Sequence, residues 1–127
     1  MARKTIVMVE DNPDNRRIYS ILLEHSGYEV VQAEDAESGI ALVSLCLPDL
    51  VLMDISLPRM DGFEATARLK DNPITAGIPV VALTAHAFDE DRRRAWEVGF
   101  DGYLTKPVAP RRVLEVVERF LGRDVAA

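Results

Sequence analysis

One cysteine, Cys46, stands among the 127 residues. No disulfide can close within the chain, and a reducing cytoplasm suits that count. Cys46 lies in an apolar helical stretch with no His, Asn or second Cys near it in sequence. It reads as a buried small hydrophobe and not as a catalytic thiol. No apolar run approaches the length of a membrane span. Met1-Ala2-Arg3-Lys4 is basic but runs straight into a strand-like segment, with no signal-peptide core or cleavage site. Low-complexity tracts, short-period repeats and linkers are also missing. The net charge is -6, which argues mildly against a nucleic-acid surface, because phosphate binding needs clustered Lys and Arg. At this length a single domain over 1-127 is expected, with 122-127 a short tail. The initiator Met1 and the ragged tail suggest a complete small protein with no output module of its own.

What is present is a repeated alternation. Thr5-Ile6-Val7-Met8-Val9 is a short β-branched run stopped by Glu10-Asp11-Asn12-Pro13. Asn12 suits an N-cap and Pro13 the first helical position. Ile18, Ile21, Leu22 and His25 recur at helical spacing, and Gly27 closes the helix. Glu29 to Ala33 predicts a second strand. Asp35 caps a second helix with Ile40, Val43 and Leu47 on one stripe, ended by Pro48. Leu50-Val51-Leu52-Met53 is continuously apolar and runs into Asp54. Such a strand is buried on both faces, as in a parallel sheet covered by helices. A loop, Ile55 to Met60, leads to a third helix at Asp61-Gly62 carrying Phe63, Ala67 and Leu69. A fourth strand runs from Pro79 to Thr84. Asp89, Glu90 and Asp91 open a fourth helix at its dipole-positive end, and Gly99 ends it. Gly102 to Thr105 is a short fifth strand before Lys106-Pro107. The last helix starts near Pro110, with Val113, Val117, Phe120 and Leu121 as its inner stripe. Repeated strand-helix units imply an α/β fold: a doubly wound five-stranded parallel sheet with right-handed crossovers and helices on both faces.

In such sheets ligands bind at the carboxyl ends of strands. Glu10-Asp11, Asp54, Thr84 and Lys106 end strands one, three, four and five. In the flavodoxin-like order 2-1-3-4-5, one option among doubly wound folds, those strands are consecutive neighbours about 4.8 Å apart. The side chains then converge on one edge. Three carboxylates that close repel one another, so either protons or a cation must join them. The donors are all hard oxygens, which selects Mg²⁺ over Zn²⁺ or copper. Mg²⁺ typically keeps waters and takes one or two carboxylates with a phosphate oxygen. A phosphoryl group is therefore the expected missing ligand. Lys106 offers it a positive charge and Thr84 a hydroxyl. Asp54, central and without an adjacent carboxylate, is the best candidate nucleophile for forming an aspartyl phosphate. Each residue alone has an ordinary explanation, as a cap or a solvated lysine; five at consecutive strand ends do not.

The chain resembles response regulator receiver domains over essentially its full length. The matching stretches are Val9-Glu10-Asp11-Asn12, Asp54-Ile55-Ser56-Leu57-Pro58-Arg59-Met60-Asp61-Gly62, Leu83-Thr84-Ala85 and Tyr103-Leu104-Thr105-Lys106-Pro107. The resemblance, closest to stand-alone chemotaxis-type regulators, implies the 2-1-3-4-5 order, of which the chemotaxis receiver is a standard example. It implies Mg²⁺ bound by Glu10, Asp11, Asp54 and the Ser56 backbone carbonyl. It implies Asp54 as phosphoacceptor in phosphorelay signal transduction, with a phosphohistidine on a sensor histidine kinase or histidine phosphotransfer protein as donor. Such a protein is no enzyme beyond its own phosphorylation and dephosphorylation. Lys106 would pair with the phosphoryl group, Lys106-Pro107 would be a cis peptide, and Thr84 and Tyr103 would form the switch. Ser56 and His86, two residues beyond Asp54 and Thr84, would modulate phosphoryl lifetime. The output, to a downstream protein target, would be read on the face of the fourth helix, fifth strand and fifth helix.

Two other readings fit less well. A metal-dependent phosphatase with the same nucleophile would want a second Asp where Ser56 stands. A flavin or nucleotide module would want a phosphate cradle where Glu10-Asp11 stands. His25 reads as a helix-end residue. Arg92-Arg93-Arg94 follows Asp89-Glu90-Asp91 and reads as ion-paired on a solvated face, or else as a partner contact. Arg16, expected to be exposed on the first helix, is a candidate docking residue for the partner's histidine-bearing helices. Neither nucleic acid nor membrane is an expected partner.

Overall fold

The computed structural model describes residues 3–85 and 89–122. The order of elements is β1 (Thr5–Val9), α1 (Pro13–His25), β2 (Glu29–Ala33), α2 (Ala36–Cys46), β3 (Leu50–Asp54), α3 (Gly62–Asp71), β4 (Val80–Thr84), α4 (Asp89–Val98), β5 (Gly102–Thr105) and α5 (Pro110–Leu121). All strand pairs are parallel, in the order β2-β1-β3-β4-β5. The expected fold class is therefore the observed one.

The continuous apolar strands divide their side chains between two cores by simple alternation. Ile6, Met8, Leu50, Leu52, Val81 and Leu83 face α1 and α5. Val7, Val9, Val51, Met53, Val80 and Ala82 face α2, α3 and α4. The helix punctuation follows local chemistry. The Asn12 side chain accepts from the Asp14 and Asn15 amides at 2.9 and 3.1 Å, with Pro13 at the first helical position. Asp35 and Asp61 cap α2 and α3 by accepting from Ser38 and Glu64. Gly27 and Gly99 follow α1 and α4 with φ of 99° and 106°, where a Cβ is disfavoured.

Several helix faces differ from the expected stripes. The inner side of α1 is Tyr19, Ser20 and Leu23, while Ile18 and Ile21 are each 48% exposed. The stripe is displaced because Ser20 fits beneath the sheet, its hydroxyl 3.8 Å from the Met8 sulfur. In α2 the buried residues are Ala36, Gly39 and Val43. Leu47 has already left the helix, with φ of 45°, and is exposed. Cys46, expected in the core, is exposed at the end of that helix. In α5 the buried set is Val113, Val116 and Val117, and Phe120 turns outward. Ala67 is only half-buried, because Ala65, Thr66 and Leu69 face the core instead.

Gly62 seats α3 against the end of β3. An ideal Cβ there would lie 2.5 Å from the Asp54 carbonyl oxygen and 2.8 Å from Ile55 Cα. Both are backbone atoms and cannot swing aside. Gly62→Ala should therefore cost roughly 1–3 kcal/mol of stability, as overpacking does. Equilibrium urea unfolding should show the lowered midpoint. An unchanged midpoint would mean that α3 does not need this close approach.

Candidate functional site

The five expected residues stand at the carboxyl edge of the sheet. Glu10 directly follows β1 and is fully buried, although it is an acid. Its backbone is held twice: its amide donates to Ala33 at 3.0 Å, and its carbonyl accepts from Arg16 Nη1 at 2.8 Å. Its Oε2 accepts from the Asn12 amide at 3.2 Å. Asp54 ends β3 and is buried, its Oδ1 accepting from the Ser56 amide at 2.9 Å. Asp11 is exposed. Glu10, Asp11 and Asp54 each offer an oxygen within 4.8 Å of the others.

Lys106 closes the cluster from β5. Its Nζ donates to Glu10 Oε1 at 2.6 Å and to Asp54 Oδ2 at 3.2 Å. Its amide donates to the Thr84 carbonyl at 2.6 Å, tying the β5 exit to the end of β4. The Lys106-Pro107 peptide is cis. Thr84 is fully buried. Tyr103 pairs across the ladder with Ala82, two residues before Thr84. Strand alternation puts Tyr103 on the face that Ala82 and Thr84 share. Burial raises the Tyr103 hydroxyl above its ordinary pKa, with the Thr84 hydroxyl hydrogen-bonded beside it pulling the other way. His86 lies outside the described residues.

The electrostatics show a site short of positive charge. Burial, reinforced by the neighbouring Asp54, pushes Glu10 up to about 7, against the pull of Lys106. Burial also works against the Lys106 ammonium, but Glu10 and Asp54 outweigh it and raise its pKa. One lysine is thus too little cation for three acids, and burial raises Glu10 far enough that it is partly protonated near neutral pH. A divalent cation with a preference for oxygen fits this donor set. Asp11, exposed and beside the other two, is open to such an ion without first breaking a contact.

The supporting contacts made by Arg16, Tyr19, Gly62 and the Arg92-Arg94 run were not evident from the sequence. Arg16 is not a free surface residue: its side chain is 15% exposed and it bridges the Glu10 carbonyl and, at 3.7 Å, Glu34. Arg16→Glu would disturb the acidic site itself and is no clean docking probe. Exposed Arg17 and Ile18 serve better. Tyr19 is buried and donates to the Val108 carbonyl at 3.3 Å, joining α1 to the loop after Lys106. An open cleft of about 380 Å³ between Asn15, Tyr19, Ala85 and Pro107 lies next to Lys106. Gly62 packs behind Asp54. Arg92 lies 5.6 Å from the Tyr103 ring centroid, and Arg94 4.1 Å from that of Phe63. The arginine run thus covers aromatic faces. No ion pair within α4 is present among the described residues. The placing of Arg16 six residues after Glu10, in the first turn of a capped helix, was the one signal available in sequence.

Residues 6–118 match the response regulator receiver domain family. The chain belongs to that family. It is similar to the polar-differentiation response regulator DivK of Brucella anthropi, with 38% identity over 119 residues covering 94% of this chain and 97% of that protein. Among solved structures, the chemotaxis protein CheY4 of Vibrio cholerae aligns with a TM-score of 0.89 at 28% identity, over 94% of this chain and 99% of that one. The receiver domain of the sensor histidine kinase PA1611 of Pseudomonas aeruginosa aligns with a TM-score of 0.86 at 31% identity, over 95% and 99%. That structure has a magnesium ion coordinated in its active-site cleft. Receiver domains are signalling phosphoacceptors of two-component systems, and this receiver serves phosphorelay signal transduction. Among its described residues no helix is long and apolar enough to cross a membrane.

Proposed function

We propose that Asp54 is the phosphoacceptor of this receiver and that Glu10, Asp11 and Asp54, with the Ser56 carbonyl, hold Mg²⁺. The observation that carries this is the Lys106 ammonium shared between Asp54 and Glu10, with solvent-facing Asp11 beside them. An Asp54 carboxylate oxygen attacks the phosphorus of a phosphohistidine on a kinase or phosphotransfer protein. The P–O bond forms, the P–N bond breaks, and the imidazole leaves with the electron pair and takes up a proton. The bound Mg²⁺ supplies positive charge that offsets the negative charge developing on the transferred group. Lys106 turns from its carboxylates to a phosphoryl oxygen. Ser56, exposed beside the acceptor, and His86 set how readily water reaches the phosphoryl group. The chain then acts in the cytoplasm through a protein target, without nucleic acid or membrane, catalysing only its own phosphorylation and dephosphorylation.

Asp11→Asn removes one metal carboxylate and leaves the nucleophile in place. It should weaken Mg²⁺ binding by at least roughly 10-fold, since loss of even a group that only orients a metal ligand costs roughly 10–100-fold. Titration of Mg²⁺ followed by amide shifts of residues 9–12 and 54–56 would measure it. Equal affinity in the two proteins would remove Asp11 from the metal site.

The switch in this reading is Thr84. A phosphoryl group on Asp54 offers its hydroxyl a new acceptor, and that differential contact biases two arrangements of Thr84 and Tyr103. The output face is then α4, β5 and α5, where Tyr103 and Arg92 meet. Beryllofluoride, a stand-in for the phosphoryl group, should move the NMR signals of Tyr103 and Arg92. A response confined to the residues bordering Asp54 would contradict the coupling.

A further inference from the structure

Arg16 holds the peptide that joins two of the clustered acids. Its Nη1 donates to the Glu10 carbonyl at 2.8 Å, and its Nη2 lies 3.7 Å from Glu34 Oε1. That carbonyl belongs to the Glu10-Asp11 peptide unit, which is planar. Fixing its oxygen therefore fixes the plane, and with it the placement of both Cα atoms. The two acids differ in how much else holds them. Glu10 is buried, its amide donating to Ala33 and its carboxylate accepting from Lys106 and the Asn12 amide. Asp11 is exposed, and its carboxylate accepts no hydrogen bond among the described residues. Its position rests on its backbone. Arg16 is itself well anchored. Its amide donates to the Asn12 carbonyl at 3.0 Å, and its side chain is 15% exposed. Local sequence delivers it there. Asn12 caps α1 and Pro13 opens it, and long helical side chains lean toward the helix N-terminus, here back over the exit of β1.

We propose that Arg16 is a positioning residue for the metal site: by gripping the Glu10-Asp11 peptide it keeps the Asp11 carboxylate beside Glu10 and Asp54, and so raises the affinity for Mg²⁺. This rests on the metal site proposed above and adds to it a residue that is not a ligand of the ion. Two effects of Arg16 oppose each other. Its positive charge disfavours a second cation nearby, so by charge alone its loss would tighten Mg²⁺ binding. The exposed Glu34 carboxylate faces the guanidinium and offsets part of that charge, and solvent screens more of it. The hold on the carbonyl is direct and short, and groups that orient a metal ligand are typically worth roughly 10–100-fold in affinity. Positioning therefore outweighs charge, and loss of Arg16 weakens binding. The sign of the change separates the two roles. A residue that served only to dock a partner would leave Mg²⁺ binding by the isolated chain as it was.

Arg16→Met keeps the apolar stem and removes the guanidinium. Mg²⁺ titration of the full chain, followed by the amide shifts of residues 9–12 and 54–56, should show affinity lowered by roughly tenfold, the low end of that range. Arg17→Met takes the same charge from an exposed neighbour on α1 and should change the affinity by less than about twofold. Arg16→Lys keeps the charge, but its shorter stem carries no fork to span Glu10 and Glu34. It should bind Mg²⁺ about as weakly as Arg16→Met. With a small phosphodonor, Arg16→Met should need more Mg²⁺ yet reach the rate of the unaltered chain at saturation, because Asp54 and Lys106 are untouched. A general loosening of the fold would lower that rate as well. Unchanged or tighter Mg²⁺ binding by Arg16→Met, an equal loss in Arg17→Met, full recovery in Arg16→Lys, or a saturated rate that falls in step with affinity would each overturn the proposal. If residues 9–12 and 54–56 of the unaltered chain show no saturable response to Mg²⁺, the metal site itself is overturned, and this role with it.

Discussion

Asp54→Asn should take up no phosphoryl group from a small phosphodonor and Mg²⁺, where the unaltered chain gains one. The effect is all-or-none because the carboxylate oxygen is the atom that bonds to phosphorus, and an amide is a far weaker nucleophile. The variant should nevertheless fold. Its amide oxygen can still accept from the Ser56 amide, now at 2.9 Å from Oδ1. Loss of the charge also relieves Glu10, whose carboxyl burial and Asp54 together hold near 7. In EDTA the variant should therefore unfold at a higher temperature than the unaltered chain, by the equivalent of about 1 kcal/mol. Intact-protein mass spectrometry and a thermal melt check the two halves. A full increment in the variant would remove Asp54 as acceptor; a large fall in the melting temperature would show that its charge is needed by the fold.

Lys106→Met should have the second-largest effect, and in the opposite direction on stability. The ammonium is bonded to two buried carboxylates, at 2.6 and 3.2 Å. Its removal leaves both without a cation in metal-free solution. Breaking a buried ion pair in this one-sided way costs about 3–5 kcal/mol. The loss should depend on pH. A carboxylate whose folded pKa lies above its unfolded value contributes most stability when protonated and loses that contribution as pH rises through the folded pKa. For Glu10 that window runs from 4.5 to about 7 in the unaltered chain, and removing Lys106 extends it upward. Lys106→Met should thus be most unstable relative to the unaltered chain above pH 7 in EDTA, and less so near pH 5. It should also lose the response of Tyr103 to beryllofluoride. Denaturant melts at two pH values test the first part. A pH-independent difference, or none, would mean that the lysine does not neutralise these acids.

The elements of the fold were readable because their signals are local. Continuous apolar runs, Asn12-Pro13, Asp35, Asp61 and the closing glycines each act within a turn or two of their position. The strand order came with the family resemblance, since nothing in the periodicity of β1 to β5 says which strands are neighbours. Helix faces were harder. In α1 the apolar residues Ile18 and Ile21 point outward while Ser20 is buried, so hydrophobicity gave the wrong side. Phe120 faces out for a similar reason, because Gly102 leaves it a shelf. Glu10, Asp11, Asp54, Thr84 and Lys106 were legible as strand ends, where position alone implies convergence. Their supports were not. Arg16, Tyr19, Gly62 and Arg92 matter through contacts across the chain, and apart from the spacing of Arg16 from Glu10 the sequence does not show those contacts.

The central claim is that one carboxylate at the edge of β3 carries the phosphoryl group. Borohydride reduction of the phosphorylated protein converts an aspartyl phosphate to homoserine, and peptide mass spectrometry locates the altered residue. Homoserine is expected at position 54 and at no other aspartate, dependent on both phosphodonor and Mg²⁺. Conversion at Asp11, or a phosphoryl group that resists borohydride because it sits on His or Ser, would contradict it.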